Sequence, residues 1–191
     1  MDEKERELIS MVLAGHKEAF AELIYPYRQS ILRLAYRLTG DQEEAFDVAQ
    51  ETFLRSFRYL RRFDLKRSFR NWLFQIATNA ARDLIRRQRK ENDGIAALAV
   101  SIYQQKEGVG TNTLAVESGP KLTIHLRACL SSLSPKERQV FILRDLEGLS
   151  IKETASVLSS SSISVRVNLA RARRKIREML EKNDILRRLE S

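Results

Sequence analysis

The stretch Leu133–Leu158, LSPKERQVFILRDLEGLSIKETASVL, decides the fold. One device punctuates it twice: Ser134 stands three residues before Glu137, and Ser150 three residues before Glu153. A serine hydroxyl at such a position accepts from a backbone N–H in the first helical turn, while the glutamate reaches back to the serine N–H, so both sites mark helix starts. Pro135 takes the first helical position, where its missing N–H costs nothing. The first helix ends at Gly148, and the second runs little more than two turns to Leu158. After four serines, Ile163 to about Leu180 reads as one long basic helix, with Val165, Leu169, Ala172 and Ile176 at core spacing. Helix, glycine turn, short helix, tight turn and basic helix is the layout of a helix-turn-helix DNA reader.

Working outward, four of the seven glycines (Gly94, Gly108, Gly110, Gly119) and Pro120 fall within residues 94–120, which lack a clear period. This predicts a linker over 93–120 between a first unit, 1–92, and a second, 121–191. In the first unit, Phe20, Leu23, Ile24, Tyr27, Ile31, Leu34 and Leu38 recur at helical spacing up to Gly40. Asp41 and Glu44 predict a capping box opening a helix that buries Ala45, Val48, Ala49, Thr52, Phe53, Ser56, Phe57 and Leu60. A third helix is expected from Phe69 to about Lys90, burying Trp72, Leu73, Ile76, Ala77, Ala80 and Leu84. The fold class expected is all-α, in two small helical domains.

Composition agrees. Hydrophobic residues make up 43% and charged residues 31% of the 191, which suits a chain with ordinary cores. A formal charge of +9 points to a polyanionic partner, because basic surface gains affinity by releasing phosphate counterions. Cys129 is the only cysteine, so no internal disulfide can form, and it falls in the apolar pattern of Leu126, Leu130 and Leu133. The charged N-terminus MDEKERELIS lacks a signal-peptide core, and no apolar run approaches a membrane span, so a cytoplasmic location is expected. His16 and His125 are far apart and outside any metal-ligand pattern, and no glycine-rich phosphate loop occurs. Neither catalysis nor a cofactor or metal is expected.

With these motifs in view, residues 133–158 followed by VRVNLARARRKIREML (165–180) resemble region 4 of an extracytoplasmic-function sigma factor of the sigma-70 family. DQEEAFDVAQETFLRSF (41–57) resembles the region 2 helix that docks on RNA polymerase, and RSFRNWLFQIATNAARDLIRRQRK (67–90) the following promoter-melting helix. The matches stand in the family's order on both sides of a linker. The resemblance implies a promoter-specificity initiation subunit, with core RNA polymerase, promoter DNA and an anti-sigma factor as partners. A stand-alone helix-turn-helix regulator is the alternative, but its first domain would need an effector pocket.

The resemblance assigns three surfaces. Asp47, Gln50, Glu51, Leu54 and Arg58 lie opposite the core stripe of their helix and would meet the clamp coiled coil of the polymerase β′ subunit; a solvated helix face is the alternative for such a stripe. Residues 58–90 hold eleven Lys or Arg against Asp64 and Asp83. Within them Gln75, Asn79, Arg82 and Arg86 share a face and would take the −10 element, while Phe63, Lys66, Arg67 and Phe69 would shape a pocket for a flipped base. In the basic helix Ser164, Arg166, Val167, Ala170, Arg171 and Arg174 face outward toward the −35 element. Arg166 and Arg171 are placed for base edges, with Arg174 nearer the backbone. Arg173, Lys175 and Arg177 lie further along, toward phosphates or the polymerase β flap. The chain departs from the family at the turn between the last two helices, where Ser159-Ser160 replaces Gly-Ile. Serine in a left-handed turn costs about 1 kcal/mol relative to glycine, so a looser or reshaped turn is expected.

Overall fold

The computed structural model describes the backbone of residues 2–98 and 120–189 and the side chains of residues 2–88 and 126–181; among these, every regular element is helical. The charged N-terminus forms α1 (Glu3–Leu13), opened by a capping box between Asp2 and Glu5 and buried through Leu8 and Ile9. The apolar run from Phe20 to Leu38 divides at Pro26 into α2 (Ala19–Ile24), a 3₁₀ turn (Tyr25–Tyr27) and α3 (Arg28–Thr39). Proline has no N–H for the helical ladder and crowds the preceding turn, so one continuous α-helix is not available there. Gly40, at φ +82°, ends α3 in the left-handed conformation that glycine adopts without strain.

Only half of the expected capping box forms at α4 (Gln42–Tyr59). Asp41 accepts from the Glu44 N–H at 3.0 Å, but the Glu44 carboxylate accepts from Gln88 Nε2 at 2.8 Å. A local bond has been exchanged for one that ties α4 to α5 (Phe69–Leu98). Ala45, Val48, Ala49, Thr52 and Ser56 of α4 are buried, as are Leu73, Phe74, Ala77, Thr78, Ala80 and Ala81 of α5. The hydroxyls of Thr52, Ser56 and Thr78 donate to carbonyls of their own helices (Val48, Phe53 and Phe74, at 2.6, 2.9 and 2.7 Å), so none is buried unpaired. α5 packs on α3 and α4 at once, so its buried arc is broader than a single stripe: Phe74 is fully buried, while Trp72, Ile76 and Leu84 sit at its edge. Phe57, expected inside, is 40% exposed and rests edge-on against Phe20. α5 also continues past Lys90 through Gly94 to Leu98, so the expected linker begins inside a helix; residues 99–119 of that linker lie outside the described residues.

In the second unit, α6 (Pro120–Ser131) starts on a proline at the end of the expected linker. Both serine–glutamate capping boxes form, opening α7 (Pro135–Phe141) and α8 (Ile151–Val157). α7 does not run as an α-helix to Gly148. It widens into a π-helical turn over Ile142–Leu146, where the Glu147 N–H reaches Ile142 O at 2.9 Å, and Gly148 at φ +74° then reverses the chain. The serine turn is not loose. Ser159 adopts φ +49°, its N–H bonds to Ser156 O at 3.2 Å, and the Ser160 N–H bonds to Ala155 O at 2.9 Å. That is a complete Schellman closure built on serine where glycine is usual. Ser161 then caps α9 (Ser162–Leu189), accepting from the Ser164 N–H at 3.1 Å. Val165, Leu169 and Ala172 are buried, as their spacing requires.

The two units share a core. Leu130, Leu133, Ile142, Leu143, Leu149, Val157 and Ala172 belong to the same continuous apolar cluster as Leu34, Leu38, Phe69 and Leu73 of the first unit. Cys129 is buried, and desolvation pushes its thiol pKa up, which keeps it neutral.

Candidate nucleic-acid interface

The loop after α4 is fixed by its own backbone. Asp64 accepts from the Lys66 N–H at 2.9 Å through its side chain and from the Arg67 N–H at 2.9 Å through its carbonyl, and Ser68 caps α5 by accepting from Asn71 N at 3.3 Å. Lys66 and Arg67 are exposed on this loop. Its two phenylalanines are not. Phe69 has no exposed surface and Phe63 only 8%; they pack edge-to-face at 5.4 Å, and both touch Trp72. The expectation that they offer rings to a base is corrected: in this conformation they brace the loop from beneath. The apolar demand of the α5 start outweighs any use as an exposed platform.

Along α5, Gln75 and Asn79 are half-buried, and Arg82 and Arg86 are exposed on the side away from Leu73, Ala77 and Ala81. Neither Arg82 nor Arg86 has an ion-pair partner among the described residues. Asp83, the acidic neighbour, is held instead by Arg55 Nη1 at 3.1 Å, and Arg55 also binds Glu51 at 2.6 Å. These two carboxylates raise the Arg55 pKa, the Glu51 hydrogen bond most of all. Asp83 is thereby neutralised, and the described part of the face stays cationic.

On α4, Asp47, Gln50, Leu54 and Arg58 are exposed, and Glu51 is half-buried by its bond to Arg55. The same surface carries Phe46, 49% exposed, beside Leu54 at 51% and Phe57 at 40%. Sequence reading missed Phe46 and placed Phe57 in the core. The signal was the placing of Phe46, Leu54 and Phe57, with Gln50 between them, on one row along the side away from Ala45 and Ala49.

Along α9, Arg166, Val167, Ala170, Arg171 and Arg174 face solvent. Ser164 is partly covered, accepting from Asn168 Nδ2 at 3.3 Å through its hydroxyl and 2.8 Å through its carbonyl. Arg166 and Arg171 have no ion-pair partner among the described residues, and Arg174 lies 3.7 Å from Glu178. Two cations expected to be available further along the helix are engaged within the fold. Arg173 makes a two-pronged bond to Asp145 at 2.7 and 2.8 Å, and Lys175 binds the buried Glu137 at 2.8 Å. Lys175, followed by the bonds from Ser134, holds the Glu137 carboxyl below its ordinary pKa. Ile163, read from sequence as the start of the basic helix, is 72% exposed in the first turn of α9. Among the described residues no group of His, Cys, Asp or Glu could hold a metal, and no helix is long and apolar enough to cross a membrane.

Comparison with known proteins bears on both units. Residues 23–91 match the model for sigma-70 region 2, and residues 125–176 that for sigma-70, region 4. The chain is 30% identical to the ECF RNA polymerase sigma factor SigW of Bacillus subtilis over 92% of this chain and 96% of that one. It is 31% identical to the RNA polymerase sigma-H factor of Pseudomonas aeruginosa, covering 94% and 95%. Among solved structures it is similar to CnrH in complex with the cytosolic domain of CnrY, with a TM-score of 0.67 and 26% identity over 94% of this chain and 99% of that one. With both regions matched in order across most of its length, the chain belongs to the extracytoplasmic-function sigma factors of the sigma-70 family, the promoter-specificity subunits of bacterial RNA polymerase.

Proposed function

We propose that α4 docks the chain on the β′ clamp of core polymerase through Asp47, Gln50, Glu51, Leu54 and Arg58, and that α5 takes the −10 element through Gln75, Asn79, Arg82 and Arg86. Lys66 and Arg67 on the preceding loop extend that surface, and α9 reads the −35 element through Ser164, Arg166, Val167, Ala170, Arg171 and Arg174. The observation that carries this reading is the sorting of cations. Arg55, Arg173 and Lys175 are held by carboxylates within the fold, whereas Arg82, Arg86, Arg166 and Arg171 are exposed without such partners among the described residues. Unpaired guanidinium groups beside the amides Gln75 and Asn79 suit phosphates and unstacked bases, and Arg166 and Arg171 on a recognition helix suit guanine edges. The chain supplies binding and strand capture, and the polymerase supplies the chemistry. It acts in the cytoplasm, and the likeness to CnrH bound by CnrY supports an anti-sigma factor as a partner, with the β flap as a second polymerase contact.

The test adds the protein to sigma-free core polymerase and scores initiation on a genomic promoter library. Permanganate reactivity of unpaired thymines is then compared between wild type and Asn79→Ala with Arg82→Ala at matched occupancy. Wild type should initiate, and the double variant should open the −10 region less. Equal opening would remove these residues from the melting surface.

A further inference from the structure

α9 opens with an apolar side chain that the fold does not use. Ile163 is 72% exposed, the highest value for a large hydrophobic among the described residues, and Val167, one turn on, is 44% exposed. Both lie outside the two apolar clusters that hold the helices together. A β-branched residue also gives up side-chain freedom in a helix, so an exposed isoleucine in the first turn lends α9 nothing that a polar residue would not.

Apolar side chains exposed singly are ordinary, but these two are not scattered. At 3.6 residues per turn, Ile163, Val167 and Ala170 fall within about 60° of one another, on the side away from the buried Val165, Leu169 and Ala172. Arg166 and Arg171 flank this strip, one on each side, and neither has an ion-pair partner among the described residues. The strip is apolar along its centre and cationic along both margins. A protein surface covering it would have to desolvate both guanidinium groups or match each with an acid. The major groove of DNA already has the complementary pattern, with phosphates along both walls and the C5-methyl of each thymine on its floor.

We propose that Ile163 and Val167 read thymine C5-methyl groups in the −35 element, so that those base pairs are discriminated by apolar contact and not by hydrogen bonds. This rests on the assignment of α9 to the −35 element and adds Ile163 to the residues named for it. The two side chains are about 6 Å apart along the helix axis, less than two base-pair steps of about 3.4 Å, so the thymines they meet lie within three successive base pairs.

Deoxyuridine differs from thymidine only in lacking that methyl, which gives the experiment its probe. Holoenzyme made from the full chain and core polymerase is bound, at fixed salt, to a promoter taken from the initiation library, with each −35 thymine replaced in turn by deoxyuridine. Loss of one methyl contact should weaken wild-type binding about fourfold at one or two of these positions and leave the others unchanged. Ile163→Ala should bind the thymine promoter at least about fourfold more weakly and no longer respond to deoxyuridine at one position. Val167→Ala should do the same at the other. Both side chains are exposed, so circular dichroism should match wild type. The deoxyuridine series on wild type needs no variant and decides the question should either fold poorly. A −35 element without thymine, a wild type indifferent to every deoxyuridine, or a response that persists in both alanine variants overturns the proposal. A loss of core affinity in Ile163→Ala, titrated without DNA, assigns the side chain to a polymerase contact and overturns it too. Arg166→Ala and Arg171→Ala separate the two failures. If they weaken −35 binding, only the methyl reading falls; if they leave it unchanged, the assignment of α9 falls with it.

Discussion

At Ser159 a single side chain sets local strain against a contact between the two units. The Schellman closure requires a left-handed residue, and serine meets that requirement at a cost of about 1 kcal/mol relative to glycine. Its bond to Gln75 is long and exposed, and such bonds return little in water. Ser159→Gly should therefore raise stability in urea denaturation by about 0.5–1 kcal/mol; a loss would mean that the hydroxyl outweighs the strain. The sequence already marked this position, because it departs from the glycine expected in the family. Phe63 and Phe69 were less legible. An aromatic beside a basic loop reads alike whether it stacks on a base or packs on Trp72, and only burial distinguishes the two.

At the scale of the element, periodicity identified the buried stripe of α4 but assigned its border wrongly. A helix that packs along one arc leaves two edges, and residues there, such as Phe46 and Phe57, can turn either way. The structure turns both outward beside Leu54, giving the acidic and amide face an apolar centre. Interfaces draw most of their energy from such desolvated anchors, with charges around them setting orientation and approach. Phe46→Ala and Leu54→Ala should each weaken core binding by about 1–2 kcal/mol, roughly ten-fold apiece. Their melting temperatures should stay near wild type, because both side chains are half exposed and alanine favours helix. Titration of labelled core would measure the first effect and circular dichroism the second. A stability loss matching the affinity loss would assign these residues to the fold. Local signals were most reliable where they close within one turn: both serine–glutamate boxes formed, while at Asp41 the reciprocal bond from Glu44 gave way to Gln88, 44 positions beyond Glu44.

At the scale of the molecule, the seam between the two units was beyond sequence reading. Across it Glu147 is bound by Arg37, 110 positions away, and by Arg70, 77 positions away. Helical period tells which face is apolar, but not which apolar face meets which. The seam nonetheless governs how the chain unfolds. Units joined by a small polar contact separate and melt independently, and that is the default for linked domains. Here the buried cluster runs continuously from Leu34 and Phe69 to Leu143 and Val157, with a desolvated carboxylate set between two guanidinium groups at its margin. Separating the units exposes that apolar surface together, so the free energy of the seam couples their unfolding. Wild type should therefore melt in one calorimetric transition, with calorimetric and van't Hoff enthalpies in agreement. Removing one partner of a buried ion pair costs about 3–5 kcal/mol, chiefly because the remaining charges lose their counterpart. In Glu147→Ala that loss falls on the seam and not on either unit's own core. Its trace should split into two transitions. A single transition shifted downward would show that Glu147 stabilises one unit internally and that the apolar contact alone couples the two.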